Sequence, residues 1–564
     1  MLAALLAIQT VTSTNMPIRN WSREELKVAG VERAWLGSVP AMRHERHFGD
    51  RIVRCFVERP ANAYDLLAAA VTRNPHGEAI VHGRERLSYN ELISAVEQCA
   101  AGLQAAGIGK GDRVAMLLGN CIPFPVVMFA TLRIGAVAVP LSVREQTEGL
   151  AYMLAHSGAK LLVHDANLAG RLPAPGATPT PVHRVAVEPD ASYKAMCLLA
   201  RASAAAPTAV EEEDTAIILY TSGTTGRPKG AMLTHLGICH SAIHYECCMG
   251  LTASDRAVVA VPMSHVTGVI ALVAAMVRAA AALIVMPGFK AGEFLELAAR
   301  ERMTHSLMVP AMYNLCLLDP TFEEARYPAW RVGAYGGAPM APATIGRFAE
   351  KLPSLSLMNA YGATETTSPI TMMPPSETAA RPDSVGCAVP CADILVMDDA
   401  GCEVRDGATG ELWLGGPMVV KGYWDDPAAT AENFVAGYWR SGDIGSKDAD
   451  GYVRVFDRKK DMINRGGFKI YSVEVENALM RFPGVVEAAV VAQPCPVLGE
   501  RVHAFVVASA TVRPADLKRH CVGLLADYKV PDAFTLSDKA LPRNANGKLL
   551  KRNLRTGYDG GTDQ

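Results

Sequence analysis

No long run of one charge sign occurs anywhere in the chain, and 55 basic against 57 acidic residues leave a net charge of -2. That balance argues against a nucleic-acid surface or an anionic membrane as partner. The chain also lacks a CxxC pair and any Cys/His cluster at metal-ligand spacing. Its 13 cysteines are odd in number and scattered, with Cys247 and Cys248 adjacent and Cys387 and Cys391 in proline-flanked sequence. They read as reduced thiols of a cytoplasmic protein, which sets aside a disulfide framework and a zinc site. No basic residue precedes Arg19, so the apolar stretch Met1 to Ile8 lacks the charged start of a signal peptide. An unstructured extension is expected there, with Met16 as an alternative start. No internal repeat of solenoid type is visible.

Long apolar runs are nearly absent too. Val269 to Met286 comes closest, but Arg278 interrupts it, and a central arginine costs roughly 2.5–3.5 kcal/mol in a bilayer. With its strand-like end Ala282 to Met286, the run is expected to be a buried helix leading into a buried strand, and no transmembrane segment is expected.

What is present is globular: 50% hydrophobic and 20% charged residues over 564 positions, too long for one compact domain. From Leu87 onward, short β-rich runs alternate with helical ones: Arg113 to Leu118 and Ala136 to Pro140 as strands around the helix Pro123 to Ile134, then Lys160 to His164. Parallel sheets in an α/β architecture follow. Pro173 to Thr215 reads as a surface excursion. Beyond Ser384, short strands and turns predict a small, mostly antiparallel β subdomain. A final α+β unit has a helix from Val473 to Phe482, strands Val485 to Val491 and Val502 to Val507, and a helix from Ala515.

The strongest local signal is Tyr220-Thr-Ser-Gly-Thr-Thr-Gly-Arg-Pro-Lys-Gly230. Small residues let backbone N–H groups approach phosphate oxygens, hydroxyls add donors, and a lysine adds a point charge. It is not a Walker A loop. Gly223 and Gly226 are too close together, and Ala231 to His235 reads as a strand rather than a helix. Four further segments carry chemistry: Asn359-Ala-Tyr-Gly-Ala-Thr-Glu365, Tyr438-Trp-Arg-Ser-Gly-Asp443, the basic run Phe456 to Phe468, and Leu541-Pro-Arg-Asn-Ala-Asn-Gly-Lys548. A carboxylate suits a divalent ion on nucleotide phosphates, a tyrosine face suits a purine, and a second carboxylate suits a ribose diol. Weaker are Gly333 to Met340, by itself an ordinary turn, and Pro262 to His265 with Gly268.

In this order the segments resemble the signatures of the adenylate-forming enzymes, the superfamily of acyl- and aryl-CoA synthetases, firefly-type luciferases and peptide-synthetase adenylation domains. The resemblance implies that Thr221, Ser222, Gly223, Thr224, Thr225, Gly226 and Lys229 hold ATP phosphates, with Thr221 also serving catalysis. Gly336, Gly337, Ala338 and Pro339 line the adenine and acid site, Tyr361 lies on the adenine with Gly362 and Thr364 beside it, and Glu365 holds magnesium. Asp443 accepts the ribose hydroxyls, Val455 borders the nucleotide, and Arg458 binds ribose or phosphate. His265 borders the acid pocket, though a structural histidine fits as well. Lys460 is the hinge, Gly466 and Gly467 line the pantetheine path, and Lys548 is the principal catalytic cation. Ser441 and Ser472 stand where the family often has Thr and Pro; Ser472 is expected to cap the following helix.

The implied organisation is a lead-in of residues 1–60, an ATP- and acid-binding domain of 61–457 and a mobile C-terminal lid of 458–564. The implied reaction is Mg-ATP-dependent activation of a carboxylic acid, fatty or aromatic, followed by transfer to coenzyme A. A carrier-protein thiol as acceptor, a non-catalytic nucleotide-binding protein, and a homodimeric assembly stay open.

Overall fold

The computed structural model describes residues 35–177, 182–188, 192–195, 205–206, 208–221, 227–323, 326–375, 377–508, 512–543 and 549–556. A large sheet-rich N-terminal domain precedes a smaller C-terminal one. In the large domain a six-stranded sheet is parallel through His183–Val187, Leu161–Asp165, Arg113–Leu117, Val137–Pro140 and Thr215–Thr221. It ends in the antiparallel edge strand Lys229–Thr234. The presumed surface excursion therefore contributes a strand, His183–Val187, on the opposite edge. Both faces of the sheet are covered, which is why its strands read as continuous apolar runs. Val114, Met116 and Val163 join the largest core, while Ala115, Leu117 and Val139 pack on the other side.

The second sheet is 14-stranded. From Glu78–His82 through Ala282–Val285, Arg256–Val259, His305–Met308 and Val332–Tyr335 to Ser356–Tyr361 the pairing is parallel. At Ser356–Tyr361 it becomes antiparallel and continues through Thr371–Met372, Gly386–Ala388, Tyr452–Arg458, Tyr438–Lys447, Gly410–Gly415 and Asp393–Met397. The expected β subdomain is thus an extension of the large sheet, and Tyr361 sits at the seam.

The Val269 to Met286 run is buried except at Arg278, but it begins as a π-helix, Thr267–Ala274, then becomes the α-helix Ala275–Ala279 and the strand Ala282–Val285. Periodicity could not separate π from α over so short a segment. Arg278 escapes the core by pairing through Nε with Glu246 Oε2 at 2.7 Å. None of the described helices is long and apolar enough to cross a membrane.

The C-terminal five-stranded sheet is built on the hairpin Val485–Cys495/Gly499–Ala508, with helices Ser472–Met480 and Pro514–Val522 beside it. Ser472 does not cap its helix. Tyr471 occupies that position without a side-chain bond, and the Ser472 N–H and hydroxyl both donate to Asp457 Oδ2, at 2.5 and 2.7 Å. Lys551 Nζ in turn donates to Ser472 Oγ at 2.6 Å and pairs with Glu476 at 2.6 Å.

Candidate active site

The seam of the long sheet gathers four of the expected residues. Tyr361 ends its strand, and its hydroxyl donates to Asp443 Oδ2 at 2.5 Å. Arg458, opposite Asp443 in the ladder, binds Oδ1 through Nε at 2.6 Å and donates through Nη1 to Ser441 O at 3.2 Å. Burial is the largest single influence and works to lower the Arg458 pKa, but Asp443, Tyr361, Glu365 and Asp461 together outweigh it and leave the guanidinium above its ordinary value. Burial, and then Asp443, push the Tyr361 phenol well up. The turn that aims Asp443 depends on Gly442 at φ 69° and on Ser441, whose hydroxyl accepts the Asp443 N–H at 3.0 Å and donates to Leu412 O at 2.7 Å. Ser441 thus keeps a hydroxyl that braces the turn ahead of Asp443.

Gly336 follows the neighbouring parallel strand so closely that a Cβ there would lie 2.4 Å from Ala360 O, directly before Tyr361. Gly337 has φ 79°, and Ala338 and Pro339 continue the turn. Gly362 is close-packed as well, since a Cβ would stand 3.1 Å from Pro369 Cα. Thr364 and Glu365 begin the 3-10 turn Thr364–Thr366. Val455, partly buried, pairs with Gly445 across the ladder from the Asp443 strand.

The loop expected to hold phosphate joins two antiparallel strands, with Thr221 opposite Lys229 and its hydroxyl 3.5 Å from Lys229 O. This connection is not the strand-to-helix geometry of a P-loop. Ser222, Gly223, Thr224, Thr225 and Gly226 lie outside the described residues, as does Lys548. Tyr220, at the loop's foot, bonds His156 Nδ1 at 2.9 Å, and Tyr152 OH donates to Pro228 O at 3.2 Å. Tyr152 and His156 belong to the helix Thr147–Ser157, which thus holds both strand ends of the loop.

Two further residues shape the site without a sequence signal of their own. Tyr423 OH donates to Glu365 Oε1 at 3.0 Å, and Lys229 Nζ lies 5.0 Å from the Tyr423 ring centroid. Buried Asn120 ties the Pro262 to His265 turn down, accepting Met263 N–H at 2.8 Å and donating to Val259, Val261 and Met286 carbonyls. His265 bonds Thr267 within its own turn at 3.2 Å. A Cβ on Gly268 would come within 2.2 Å of Pro262 O, so that turn admits only glycine.

The remaining candidates lie on the C-terminal side. Gly466 and Gly467, at φ 58° and 90°, form the two-residue hairpin turn between Ile463–Arg465 and Phe468–Ile470, the pairing of positive φ values that glycine supplies. They are carried by the C-terminal sheet, not by the seam. Burial lowers the Lys460 ammonium. Its carbonyl accepts from Arg555 Nη2 at 3.2 Å, and Arg555 pairs with Asp461 at 2.8 Å.

The AMP-binding enzyme family matches residues 67–424, and its C-terminal domain family matches 474–548. A long-chain-fatty-acid–CoA ligase of Mycobacterium tuberculosis is 34% identical over 87% of this chain and 98% of its own length. A feruloyl-CoA synthase of Amycolatopsis is also 34% identical, over 86% and 96%. Among solved structures, the o-succinylbenzoate CoA synthetase of Bacillus subtilis, in complex with ATP and magnesium ion, superposes at TM-score 0.79. It is 28% identical and covers 88% of this chain and all 100% of its own. ATP-bound MatB of Rhodopseudomonas palustris reaches 0.80 with 31% identity, over 88% and 99%. The chain belongs to the AMP-binding, adenylate-forming enzyme family, and it is an AMP-forming acid–thiol ligase of the acyl- or aryl-CoA synthetase type.

Proposed function

We propose that the enzyme joins a fatty or aromatic carboxylic acid to AMP, releasing pyrophosphate, and then passes the acyl group to the thiol of coenzyme A, releasing AMP. The adenylate is a mixed anhydride, so one difficult substitution becomes two easier ones. In this reading the Thr221 to Gly226 loop and Lys229 grip the departing phosphates. Tyr361 and the Gly336 to Pro339 backbone receive the adenine, with Gly362, Thr364 and Val455 around the nucleotide, and Asp443 and Arg458 hold the ribose. Residues 61–457 form the domain that binds ATP and acid and 458–564 the lid. A turn at Lys460 exchanges Lys548 for the Gly466-Gly467 loop between the two half-reactions.

The single observation that carries this reading is Asp443 held by Tyr361 and Arg458 at the end of the strand beside Gly336. A carboxylate keeps lone pairs for a diol even with both oxygens engaged. Glu365 fits a divalent ion. It is 8% exposed, accepts from Tyr423 and forms no ion pair among the described residues, which leaves a nearly buried negative charge that a cation complements. Bound there, Mg2+ supplies neutralising charge to the triphosphate. His265 and Gly336 border the acid, and the wholly apolar segment after Gly268 favours a hydrophobic tail, in line with the relatives named for fatty and aromatic acids. A cytoplasmic location accords with the reduced thiols.

Pyrophosphate exchange across a panel of fatty and aromatic acids tests the reading, with Lys548→Ala as control. Exchange with some acid, lost in the variant, is expected. No exchange with any acid, or a variant as fast as the parent, overturns it. Thioester formation with free coenzyme A, but not with a phosphopantetheinylated carrier protein, separates the two acceptors.

A further inference from the structure

Glu365 and Lys229 carry opposite charges and converge on one side chain, yet they do not pair with each other. Tyr423 stands between them. Its hydroxyl gives its one proton to Glu365 Oε1 at 3.0 Å, while the ammonium of Lys229 lies over its ring, 5.0 Å from the centroid. The ring is 5% exposed and meets Phe434 edge-on at 5.5 Å, and burial followed by the Glu365 charge pushes its phenol far up, so it stays a donor.

Its backbone is fixed as firmly as its ring. Residues 422–424 run antiparallel to the edge strand that leaves the phosphate loop: Trp424 N–H donates to Gly230 O at 2.7 Å, Met232 N–H donates to Gly422 O at 3.1 Å, and Tyr423 faces Ala231. The Tyr423 N–H donates to Thr430 Oγ1 at 2.9 Å. Val420 N–H donates to Glu365 O at 2.9 Å, so the same segment also holds the Glu365 backbone. One short stretch of chain thus ties the phosphate lysine to the carboxylate across two sheets.

We infer that Tyr423 is a positioning residue that keeps Glu365 and Lys229 from neutralising each other, aiming the carboxylate at a divalent ion and the ammonium at phosphate. The inference rests on the roles given to Glu365 and Lys229 under the proposed function. Its two halves separate chemically. The hydroxyl serves Glu365 and the ring serves Lys229, so Tyr423→Phe removes one and Tyr423→Leu removes both.

The experiment uses the full chain and Mn2+ as probe, read by electron paramagnetic resonance in the presence of ATP, with a fluorescent ATP analogue titrated in EDTA as the metal-free arm. Partners that orient a metal-binding side chain typically change metal affinity roughly 10- to 100-fold, so Tyr423→Phe is expected to weaken Mn2+ about tenfold. Metal-free nucleotide affinity should be unchanged in Tyr423→Phe and several-fold weaker in Tyr423→Leu. In a Glu365→Gln background the Phe substitution should have no further effect on Mn2+, which distinguishes positioning from general loosening of the fold. A parent protein that holds no Mn2+ with ATP overturns the reading of Glu365 itself. A parent that binds, with a Phe variant binding equally well or with additive losses in the double variant, overturns the role of Tyr423.

Discussion

The Tyr361 hydroxyl and the Asp443 carboxylate are 2.5 Å apart, joined across the seam where the long sheet turns from parallel to antiparallel pairing. Removing that hydroxyl leaves Asp443 anchored by Arg458 alone. A hydrogen bond to a charged group contributes about 1.5–3 kcal/mol, so Tyr361→Phe should lower the melting temperature and, by loosening Asp443, raise the KM for ATP roughly tenfold. Steady-state kinetics beside a thermal melt check this, and an unaltered KM refutes it.

Asp443→Asn should act on the fold as well. It strands the Arg458 charge, and breaking a fully buried pair costs about 3–5 kcal/mol. The Arg458 side chain is 36% exposed, which allows partial rehydration and reduces the expected loss to about 2 kcal/mol. Denaturant titration gives the number, and exchange activity should be abolished.

Gly336→Ala places a methyl group 2.4 Å from Ala360 O, a backbone atom that cannot swing aside. Overpacking of this kind costs about 1–3 kcal/mol, and the displaced strand carries Tyr361. Pyrophosphate exchange should drop by one to two orders of magnitude, roughly the penalty for misplacing a reacting group by 1 Å. A variant with parental exchange would show that the backbone contact is dispensable.

Acid should loosen the packing of the antiparallel hairpin Met42–His47/Arg51–Phe56 and of the first turn of the helix Ala63–Arg73 against the helix His235–Met249. His240 Nε2 accepts the Phe56 N–H at 3.1 Å while its Nδ1 side bonds Leu236 O at 2.9 Å, and His235 Nδ1 accepts the Ala63 N–H at 3.1 Å. Burial lowers their pKa values to about 3 and about 4. Both are depressed below the unfolded value near 6.5, so the stability they contribute is complete above pH 6.5 and declines as pH falls toward 4. Near pH 5 unfolding should take up about two extra protons from this pair. Melting temperatures from pH 7.5 down to 5 measure the slope, to which His244, His305 and His503, likewise depressed by burial, also contribute, so His240→Gln should remove about a fifth of it.

The residues proposed to bind nucleotide stand out in the sequence because their chemistry is local: a carboxylate after a glycine turn, an aromatic ahead of Gly-x-Thr-Glu, glycines where backbones touch. The parallel core was readable for the same reason, since strands such as Arg113–Leu117 are apolar on both faces. Tyr423 was not, because its importance comes from which strand it lies beside, and nothing in Lys421-Gly-Tyr-Trp424 encodes that neighbour. The π-helix at Thr267–Ala274 was hidden because every residue there but Thr267 is buried, leaving no polar face to reveal the pitch. Ser472 misled for a different reason. Serine before a helix does favour capping, but the Asp457 carboxylate and Lys551 compete for the same hydroxyl and win.

That competition reaches the end of the chain. The short helix Lys551–Thr556 holds Ser472 and Glu476 with its first residue and the Lys460 carbonyl and Asp461 with Arg555. It therefore lies as a splint within the C-terminal domain, tying Lys460 and Asp461 to the start of the helix Ser472–Met480. A truncation after Leu550 would spare every side chain proposed to bind nucleotide and still remove this splint, so the helix Lys551–Thr556 braces the turn that carries the proposed hinge Lys460.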